Sequence, residues 1–212
     1  MALGAGSVTA AQMAEGYSVF FANTGYRVYS WYVQRITDSR GKIVAQMAAE
    51  VAGENAKRTL DARNAFVMTS MMQDVMRFGT GSKSRVLGRR DLAGKTGTTN
   101  DTRDAWFAGY TPDLVAVAWV GFDQPRSLGG SETGGAAALP IWINFMATAL
   151  DGLPEKNNIQ CPKAWWRKPC KPSAVIGQSI FYSEWTQTNP ELGLGSGTAA
   201  TQPLDEIKDL LF

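Results

Sequence analysis

The chain has 212 residues, 44% of them hydrophobic and 19% charged, which is enough apolar material for one core of ordinary size. The net charge is only +2 and the basic residues are scattered rather than clustered, so nucleic acid is not an expected partner. The sequence contains no histidine, which excludes Ser-His-Asp and Cys-His hydrolysis as well as histidine-ligated metal. Any nucleophilic chemistry must use a lysine or a carboxylate as its base, and we expect no metal and no cofactor.

No segment of the sequence has the length of a membrane span: the longest apolar runs are Leu114 to Gly121 and Ala136 to Ile143. Met1 leads into Ala-Leu-Gly-Ala-Gly without a basic stretch and an apolar core, so no secretory or other targeting signal is predicted. Cys161 and Cys170 fit a disulfide and two free thiols equally well.

The first predicted element is a helix that begins at Thr9. Thr9 can act as N-cap, and Gln12 stands at the position that completes a capping box. Apolar residues then recur at helical spacing up to a stop at Asn23-Thr24-Gly25, and these are Met13, Tyr17 and Phe20.

A hairpin is predicted next. Residues 28–37 are β-branched and aromatic, Asp38-Ser39-Arg40-Gly41 forms a turn, and residues 42–48 resume an extended pattern. Residues 50–60 are polar and are predicted to be loop.

A second helix is predicted to begin after Asp61 and to end at Gly79-Thr80-Gly81. Its apolar face is expected to consist of Ala65, Met68, Met72, Val75 and Met76. Flexible methionine side chains fill irregular gaps in cores, so the stripe indicates core packing rather than a binding surface.

From Leu92 onward the pattern changes from helix to strand. Strands are predicted at 92–98, 104–110 and 114–122, with Thr111-Pro112-Asp113 as a turn. The third strand is apolar at nearly every position, so we expect helices on both faces of the sheet.

A glycine-rich loop from Ser127 to Gly135 is followed by one of those helices, which is predicted to open at Pro140. Its core side is expected to consist of Trp142, Phe145, Met146 and Leu150. Beyond Pro154 the patterns weaken, apart from a possible strand at 180–185 and a short amphipathic end at 204–212. The sequence thus predicts a folded portion over residues 1–154 and a mostly irregular tail over 155–212.

The strongest local signal for chemistry is Gly94-Lys95-Thr96-Gly97-Thr98-Thr99. On a strand, Lys95 and Gly97 face one side while Thr96 and Thr98 face the other. Gly97 leaves room for another backbone, and the threonine hydroxyls beside a lysine suit a carboxylate on an added peptide strand. Alone, however, a Lys-Thr-Gly tripeptide arises easily by chance, and an ordinary polar edge strand is then the favoured interpretation.

The neighbouring sequence adds specificity. Lys-Thr-Gly belongs to the motif set of β-lactamases and penicillin-binding proteins, and the chain closely resembles class A, bifunctional penicillin-binding proteins of the 1A type over about residues 2–153. The resemblance rests on these blocks: Ala2 to Thr9, Tyr17 to Asn23, Gly25 to Val28, Ala62 to Phe66, Gly94 to Tyr110, Trp119 to Asp123 and Ala138 to Trp142.

The resemblance implies part of a D-Ala-D-Ala transpeptidase that cross-links peptidoglycan stem peptides and is acylated by β-lactams. Lys95 would contribute positive charge beside the nucleophile, and Thr96 and Thr98 would bind the carboxylate of substrate or antibiotic. The Thr98 N–H would form half of the oxyanion hole. Asn100, Asp101 and Trp106 match the family without an assigned role, and structural support is the favoured interpretation.

One departure concerns the nucleophile. In the family, the Ser-x-x-Lys and Ser-x-Asn motifs precede the residue that corresponds to Leu3, so we expect the serine and its lysine base in the upstream part of a longer protein. Ser39-Arg40-Gly41-Lys42 fits Ser-x-x-Lys, but it falls on the predicted hairpin turn rather than at a helix N-terminus, so we interpret it as a chance match.

The expected fold class is therefore α+β, an antiparallel sheet flanked by helices within a transpeptidase of the penicillin-binding-protein and β-lactamase type. The alternative is a non-catalytic module that binds stem peptides or has a regulatory role. A β-lactamase is disfavoured by the block from Asp104 to Tyr110. The resemblance places the parent protein in the inner membrane, with this part in the periplasm and a glycosyltransferase upstream.

Overall fold

The structure is a computed structural model that describes residues 6–20 and 24–156. It is a mixture of helices and antiparallel sheets, which confirms the α+β prediction. Cys161, Cys170 and the elements predicted at 180–185 and 204–212 lie outside the described residues, and the boundary at 154 stays a prediction. Among the described helices, none is both long and apolar enough to cross a bilayer.

The helices and strands follow one another in an order close to the predicted one. They are α1 (Ala10–Ser18), β1 (Tyr26–Arg27), β2 (Arg35–Thr37), β3 (Ile43–Gln46), β4 (Lys57–Arg58), α2 (Ala62–Arg77), β5 (Ala93–Thr98), β6 (Asp104–Tyr110), β7 (Val115–Gly121) and α3 (Leu139–Ala149). Short 3₁₀ turns cover Ser82–Leu87 and Asn100–Thr102, and a π-helical turn at Gly134–Ala138 leads into α3.

The main sheet has the order β5-β6-β7 and is antiparallel throughout. The register pairs Lys95 with Ala108 and Gly97 with Trp106, and it pairs Trp106 with Trp119 on the third strand. Because side chains alternate along each strand, Lys95, Gly97 and both tryptophans share one face of the sheet.

Helices cover both faces, as predicted. On one face Trp142 of α3 packs against Phe107 at 5.0 Å between ring centroids and donates from Nε1 to the Ala116 carbonyl oxygen at 3.1 Å. On the other face Tyr17 of α1 meets Tyr110 at 6.2 Å. The covering of β7 is incomplete, since Trp119 is 40% exposed.

Helix α1 begins as predicted. The Gln12 N–H donates to Thr9 Oγ1 at 3.2 Å, and the Thr9 N–H donates to Gln12 Oε1 at 2.9 Å, which is the expected capping box. The helix ends at Ser18, so Phe20 lies beyond it, but the Phe20 ring still contacts Tyr17.

Helix α2 also begins as predicted, with Asp61 Oδ1 accepting from the Arg63 N–H at 2.9 Å. The prediction of its buried face was wrong for Met68, which is 38% exposed, while Thr69 one position later is buried. Thr69 accepts a hydrogen bond from the buried Tyr110 hydroxyl at 3.1 Å, while Ala65, Met72 and Met76 are buried as predicted. Burial also raises the pKa of Tyr110 well above its ordinary value, so the hydroxyl stays a proton donor.

Helix α3 differs from the prediction at Phe145, which is 52% exposed. The residues that face the core recur at spacings of three and four along the chain: Leu139, Trp142, Met146 and Leu150. Phe145 falls about 100° away from Met146 around the helix axis and therefore points outward.

The predicted hairpin exists, but its strands are shorter than predicted and every residue of β2 and β3 is exposed. The prediction that residues 50–60 are only loop was wrong, because β4 pairs with β1. The Arg58 guanidinium lies 4.1 Å from the centre of the Tyr26 ring across this pair. A strand of two residues has no periodicity, so nothing in the sequence pattern marks it.

A buried ion pair fixes the chain just before β5. Arg89 binds Asp91 through two hydrogen bonds of 2.9 and 2.6 Å and also donates to the Leu153 carbonyl oxygen at 2.8 Å. Asp91 accepts in addition from the Lys156 N–H at 3.1 Å. The hydrogen bonds to the Asp91 carboxylate raise the pKa of Arg89, so the guanidinium stays charged. This cluster ties the segment after α3 to the start of β5.

Candidate functional site

Strand β5 is an edge strand: among the described residues, no strand pairs with its outer side. The Thr99 N–H donates to the Asp104 carbonyl oxygen at 3.1 Å. In an antiparallel ladder the bonded pairs alternate, so the N–H groups of Gly97 and Lys95 point toward β6, while those of Thr98 and Thr96 point to the open edge. The predicted strand therefore presents unpaired backbone donors.

Lys95 stands on the face that carries the two tryptophans. Its side chain is exposed, and Nζ donates to the Thr96 carbonyl oxygen at 3.2 Å. Trp106 lies so close to Gly97 that a Cβ at Gly97 would come within 3.2 Å of Trp106 Cβ. The small residue predicted there is thus required for close packing of the strand pair.

A groove of about 600 Å³ runs between this face and the start of α1. Its sheet side is formed by the whole predicted motif from Lys95 to Thr98, together with Asp104, Trp106 and Trp119. Its helix side is formed by the segment from Gly6 to Ala10 and by Met13 and Tyr17. All four predicted site residues therefore line one cavity.

The hydroxyls of Thr96 and Thr98 are both engaged by other segments of the chain. Thr98 Oγ1 accepts from the Gly134 N–H at 3.0 Å, and Thr96 Oγ1 lies 2.8 Å from Thr80 Oγ1. Gly134 comes so close to the strand that a Cβ there would lie 2.5 Å from the Gly97 carbonyl oxygen. Only glycine leaves room for this hydrogen bond.

The end of β5 is locked to β6 through Asp104. Its N–H donates to Thr99 Oγ1 at 2.8 Å, and its carboxylate accepts from Thr99 Oγ1 at 3.2 Å and from Trp119 Nε1 at 2.9 Å. Asp104 therefore fixes the end of β5 against β6 and β7.

The turn after β5 contains two non-glycine residues with positive φ, Asp101 at 58° and Thr102 at 48°. Such conformations cost about 1 to 3 kcal/mol each and persist only where the surroundings impose them. Here Thr102 Oγ1 donates to the Gly129 carbonyl oxygen at 2.7 Å, and the Leu128 N–H donates to the Thr102 carbonyl oxygen at 2.8 Å. The turn is therefore hydrogen-bonded to the glycine-rich loop that also contains Gly134.

The arrangement combines several hydrogen-bond donors with acceptors. The groove and the strand edge carry the Lys95 ammonium, two outward N–H groups and the hydroxyls of Thr96 and Thr98, beside the outward carbonyl groups of the edge and the Asp104 carboxylate. A carboxylate, or a carbonyl that becomes an oxyanion, can accept hydrogen bonds from these donors. An extended peptide bound along the edge would present such groups.

Ser39 and Lys42 are not part of this site. They lie on the exposed turn between β2 and β3, where Gly41 has a φ of 78° and Asp38 Oδ1 accepts from the N–H groups of Arg40 and Lys42 at 2.9 Å. Neither residue lines the groove. The interpretation of Ser39-Arg40-Gly41-Lys42 as a chance match agrees with this position.

Three residues that hold the motif or the turn after it were missed as site residues by the sequence analysis. Thr80 was assigned only to a helix stop, Gly134 only to a glycine-rich loop, and Thr102 was not considered. Their contacts join positions 16, 36 and 27 residues apart in the chain. The only sequence signals are the paired glycines around Thr80 and at Gly134-Gly135, which are typical of close backbone approach.

The chain is similar to known proteins in family, sequence and structure. Residues 1–147 match the family model of the penicillin-binding protein transpeptidase domain. The chain is 46% identical over 210 residues to penicillin-binding protein 1A of Neisseria lactamica, an alignment that covers 99% of this chain and 25% of the relative. It is 40% identical over 199 residues to penicillin-binding protein 1A of Pseudomonas aeruginosa, covering 73% of this chain and 24% of that relative.

Among solved structures, the crystal structure of penicillin-binding protein 1A from Haemophilus influenzae superposes with a TM-score of 0.69 at 32% identity. That alignment covers 73% of this chain and 28% of the other. The chain thus spans about a quarter of the length of the curated relatives that it matches.

Proposed function

Because the chain belongs to the penicillin-binding protein transpeptidase family, we propose that β5 forms one wall of the active site of a serine D,D-transpeptidase that cross-links peptidoglycan. The observation that supports this most directly is the open edge of β5, where Lys95, Thr96, Gly97 and Thr98 line one groove and offer donors to an extended ligand. The match to a transpeptidase domain does not favour a non-catalytic binding module.

The proposed reaction is acyl transfer to a serine. The serine oxygen attacks the carbonyl carbon of the penultimate D-Ala, the terminal D-Ala leaves with a proton on its amine, and an amine of a neighbouring stem peptide then takes the acyl group. A β-lactam acylates the same serine when its ring amide opens. Lys95 contributes positive charge beside the serine, and the outward N–H of Thr98 stabilises the developing oxyanion.

The hydroxyls of Thr96 and Thr98 hold the terminal carboxylate of the stem peptide or the carboxylate of the antibiotic. Gly97 keeps the strand flat and open, so that the ligand backbone can lie beside it. Within residues 1–212, Ser39-Arg40-Gly41-Lys42 is the only Ser-x-x-Lys match and it lies on an exposed turn. We therefore assign the nucleophile to another part of the protein in which this chain occurs, a periplasmic enzyme anchored in the inner membrane.

The test is covalent labelling of the full-length protein by a fluorescent penicillin. Lys95→Ala is expected to lower the second-order acylation rate constant by about a hundredfold, the effect of removing one electrostatic group from a preorganised site. Lys42→Ala, which removes an exposed lysine from the hairpin turn, is the matched control and should label like wild type. Equal labelling of Lys95→Ala and wild type would contradict the proposal.

A second arm concerns residues 1–212 alone. This chain is expected to take up no penicillin covalently, because its Ser-x-x-Lys match is remote from the groove. Stoichiometric labelling of the isolated chain that disappears in Ser39→Ala would show that the assignment of the nucleophile is wrong.

A further inference from the structure

The hydroxyl of Thr98 keeps its proton available for a ligand. It accepts a hydrogen bond from the Gly134 N–H at 3.0 Å, and a backbone N–H cannot reverse its role. A hydroxyl has one proton and two lone pairs, so Thr98 Oγ1 retains its proton and one lone pair. Because Gly134 cannot take up that proton, Thr98 can donate it to a carboxylate at the open edge of β5.

The hydroxyl of Thr96 differs in its hydrogen bonding, because its partner is a second hydroxyl that can either donate or accept. Thr96 Oγ1 and Thr80 Oγ1 lie 2.8 Å apart, and either atom can be the donor. If Thr80 donates, the proton of Thr96 is free for a ligand; if Thr96 donates, only lone pairs face the ligand. A carboxylate repels those lone pairs and therefore selects the arrangement in which Thr80 donates.

Thr80 is held in place by the turn that ends α2. The N–H groups of Gly79 and Gly81 both donate to the Val75 carbonyl oxygen, at 3.0 and 3.1 Å. A Cβ at Gly81 would lie 2.8 Å from Met76 Sδ, so the turn is pressed against the helix. On its other side Lys83 Nζ donates to the Gly135 carbonyl oxygen at 3.3 Å, which links the turn to the glycine-rich loop.

We propose that Thr80 is a positioning residue for carboxylate recognition, because its hydroxyl donates to Thr96 and leaves the Thr96 proton available to a ligand at the open edge of β5. Thr80 performs for Thr96 the role that the Gly134 N–H performs for Thr98. The inference rests on the proposed function, in which Thr96 and Thr98 bind the carboxylate of a stem peptide or a β-lactam. It extends the binding machinery to a residue outside the Lys-Thr-Gly-Thr motif.

The experiment compares acylation of the full-length protein by a fluorescent penicillin and by the methyl ester of the same penicillin. Thr80→Val keeps the shape of the side chain and removes the donor. It is expected to lower the rate constant for the free acid about fivefold, the equivalent of one hydrogen bond of ordinary net strength. The rate constant for the ester should change by less than about twofold.

Thr80→Ser restores the hydroxyl and should restore the rate for the free acid. Ser82→Ala is the matched control, since it removes a nearby hydroxyl that makes no hydrogen bond within the described ranges. If Thr80→Val lowers the melting temperature of the transpeptidase domain, Thr80→Ala and Thr80→Ser form the comparison instead, because they differ by one hydroxyl.

A double-mutant cycle tests the route through Thr96. Thr80→Val is expected to have no further effect in a Thr96→Val background, whereas independent action would make the two losses multiply. Multiplicative losses, an equal loss on acid and ester, or a wild-type rate in Thr80→Val would each overturn the inference. Wild-type protein that is not acylated at all would instead contradict the proposed function, so the two failures are distinguishable.

Discussion

The two halves of β5 are held by different kinds of interaction. Ala93 and Gly94, in the first half, are buried, while Lys95 and Thr98, in the second half, are exposed. The first half packs against the core and follows the buried Arg89–Asp91 pair. The second half is held by hydrogen bonds from side chains and loops, and this leaves its donors accessible to a ligand.

This difference shows how an edge strand can be both rigid and open. Burial fixes the first half without contributing to binding, because its polar groups are used within the protein. In the proposed function the second half must stay open to a ligand, and two separate segments support it through hydrogen bonds: the turn at Thr80 bonds Thr96, and the loop at Gly134 bonds Thr98. The turn at Thr102 is joined to the same loop through Gly129. Support of this kind is what a preorganised site requires.

The largest expected effect on the first half of β5 comes from removing the buried carboxylate of Asp91, which lies two residues before the strand. Asp91→Ala removes the carboxylate that accepts from the guanidinium of Arg89 and from the N–H of Lys156, and Arg89 keeps only carbonyl acceptors such as that of Leu153. Breaking a buried pair costs about 3 to 5 kcal/mol. We expect the transpeptidase domain to melt at a markedly lower temperature in calorimetry. The acylation rate constant of the protein that remains folded should stay within about twofold of wild type.

The control for Asp91 is another aspartate that pairs near the end of the described chain. Asp113 binds Lys156 Nζ at 2.7 Å, but both side chains are about 45% exposed. Exposed pairs contribute about 0 to 1 kcal/mol, so Asp113→Ala should change the melting temperature little. A similar loss in both variants would show that burial does not distinguish the two pairs.

The second half of β5 is most directly disturbed by a substitution at Gly134, which donates to Thr98. In Gly134→Ala the new methyl group meets the carbonyl oxygens of Gly97 and Trp106, which belong to backbone and cannot rotate away. Overpacking of this kind costs about 1 to 3 kcal/mol. Because the strain falls on the half that carries Thr98, we expect acylation by penicillin to fall by about tenfold or more, a larger loss of activity than Asp91→Ala causes.

Gly130 offers a matched control in the same loop, since a Cβ there meets no atom within 4 Å. Gly130→Ala is expected to label and melt like wild type. If Gly134→Ala destabilised the domain while acylating at the wild-type rate, the second half of β5 would not depend on the loop.

The sequence predicted most of what periodicity and capping specify. Thr9 and Asp61 cap their helices as expected, and the strand at 104–110 was predicted with the bounds that the structure shows. The motif from Lys95 to Thr98 was predicted to lie on one strand, and it does. These features depend on neighbours in sequence, so local chemistry determines them.

The features that were missed depend on partners far away in the chain. Met68 was expected in the core, but the hydrogen bond between Thr69 and Tyr110 joins residues 41 positions apart and buries Thr69 instead. The Arg89–Asp91 pair has a short sequence separation, yet its burial is caused by residues near 153–156. No local pattern contains this information, because the packing of distant segments determines which polar residues find partners.

The smallest predicted effect tests whether the two halves are coupled through α2, which supplies Met72 and Met76 to the core and ends beside Thr80. Asp61→Ala removes the N-cap and is expected to cost about 1 kcal/mol. The N–H of Arg63, followed by its side chain, lowers the pKa of Asp61 below its ordinary value of 3.8. A depressed pKa in the folded state means that the stabilisation is fully present above the ordinary value and is lost as the pH falls through the folded value.

The difference in unfolding free energy between wild type and Asp61→Ala should therefore be constant near neutral pH and should shrink in acid, which denaturation at a series of pH values would measure. Asp61→Asn is the matched control, because an asparagine caps a helix without titrating and should keep its stability relative to Asp61→Ala at every pH. The effect of Asp61→Ala on acylation shows whether the two halves of β5 are coupled. The first turn of α2 lies about four turns from Thr80, so we expect folded Asp61→Ala protein to be acylated at the wild-type rate. A loss of acylation rate that accompanies the loss of stability would show that α2 transmits its stability to the second half of β5.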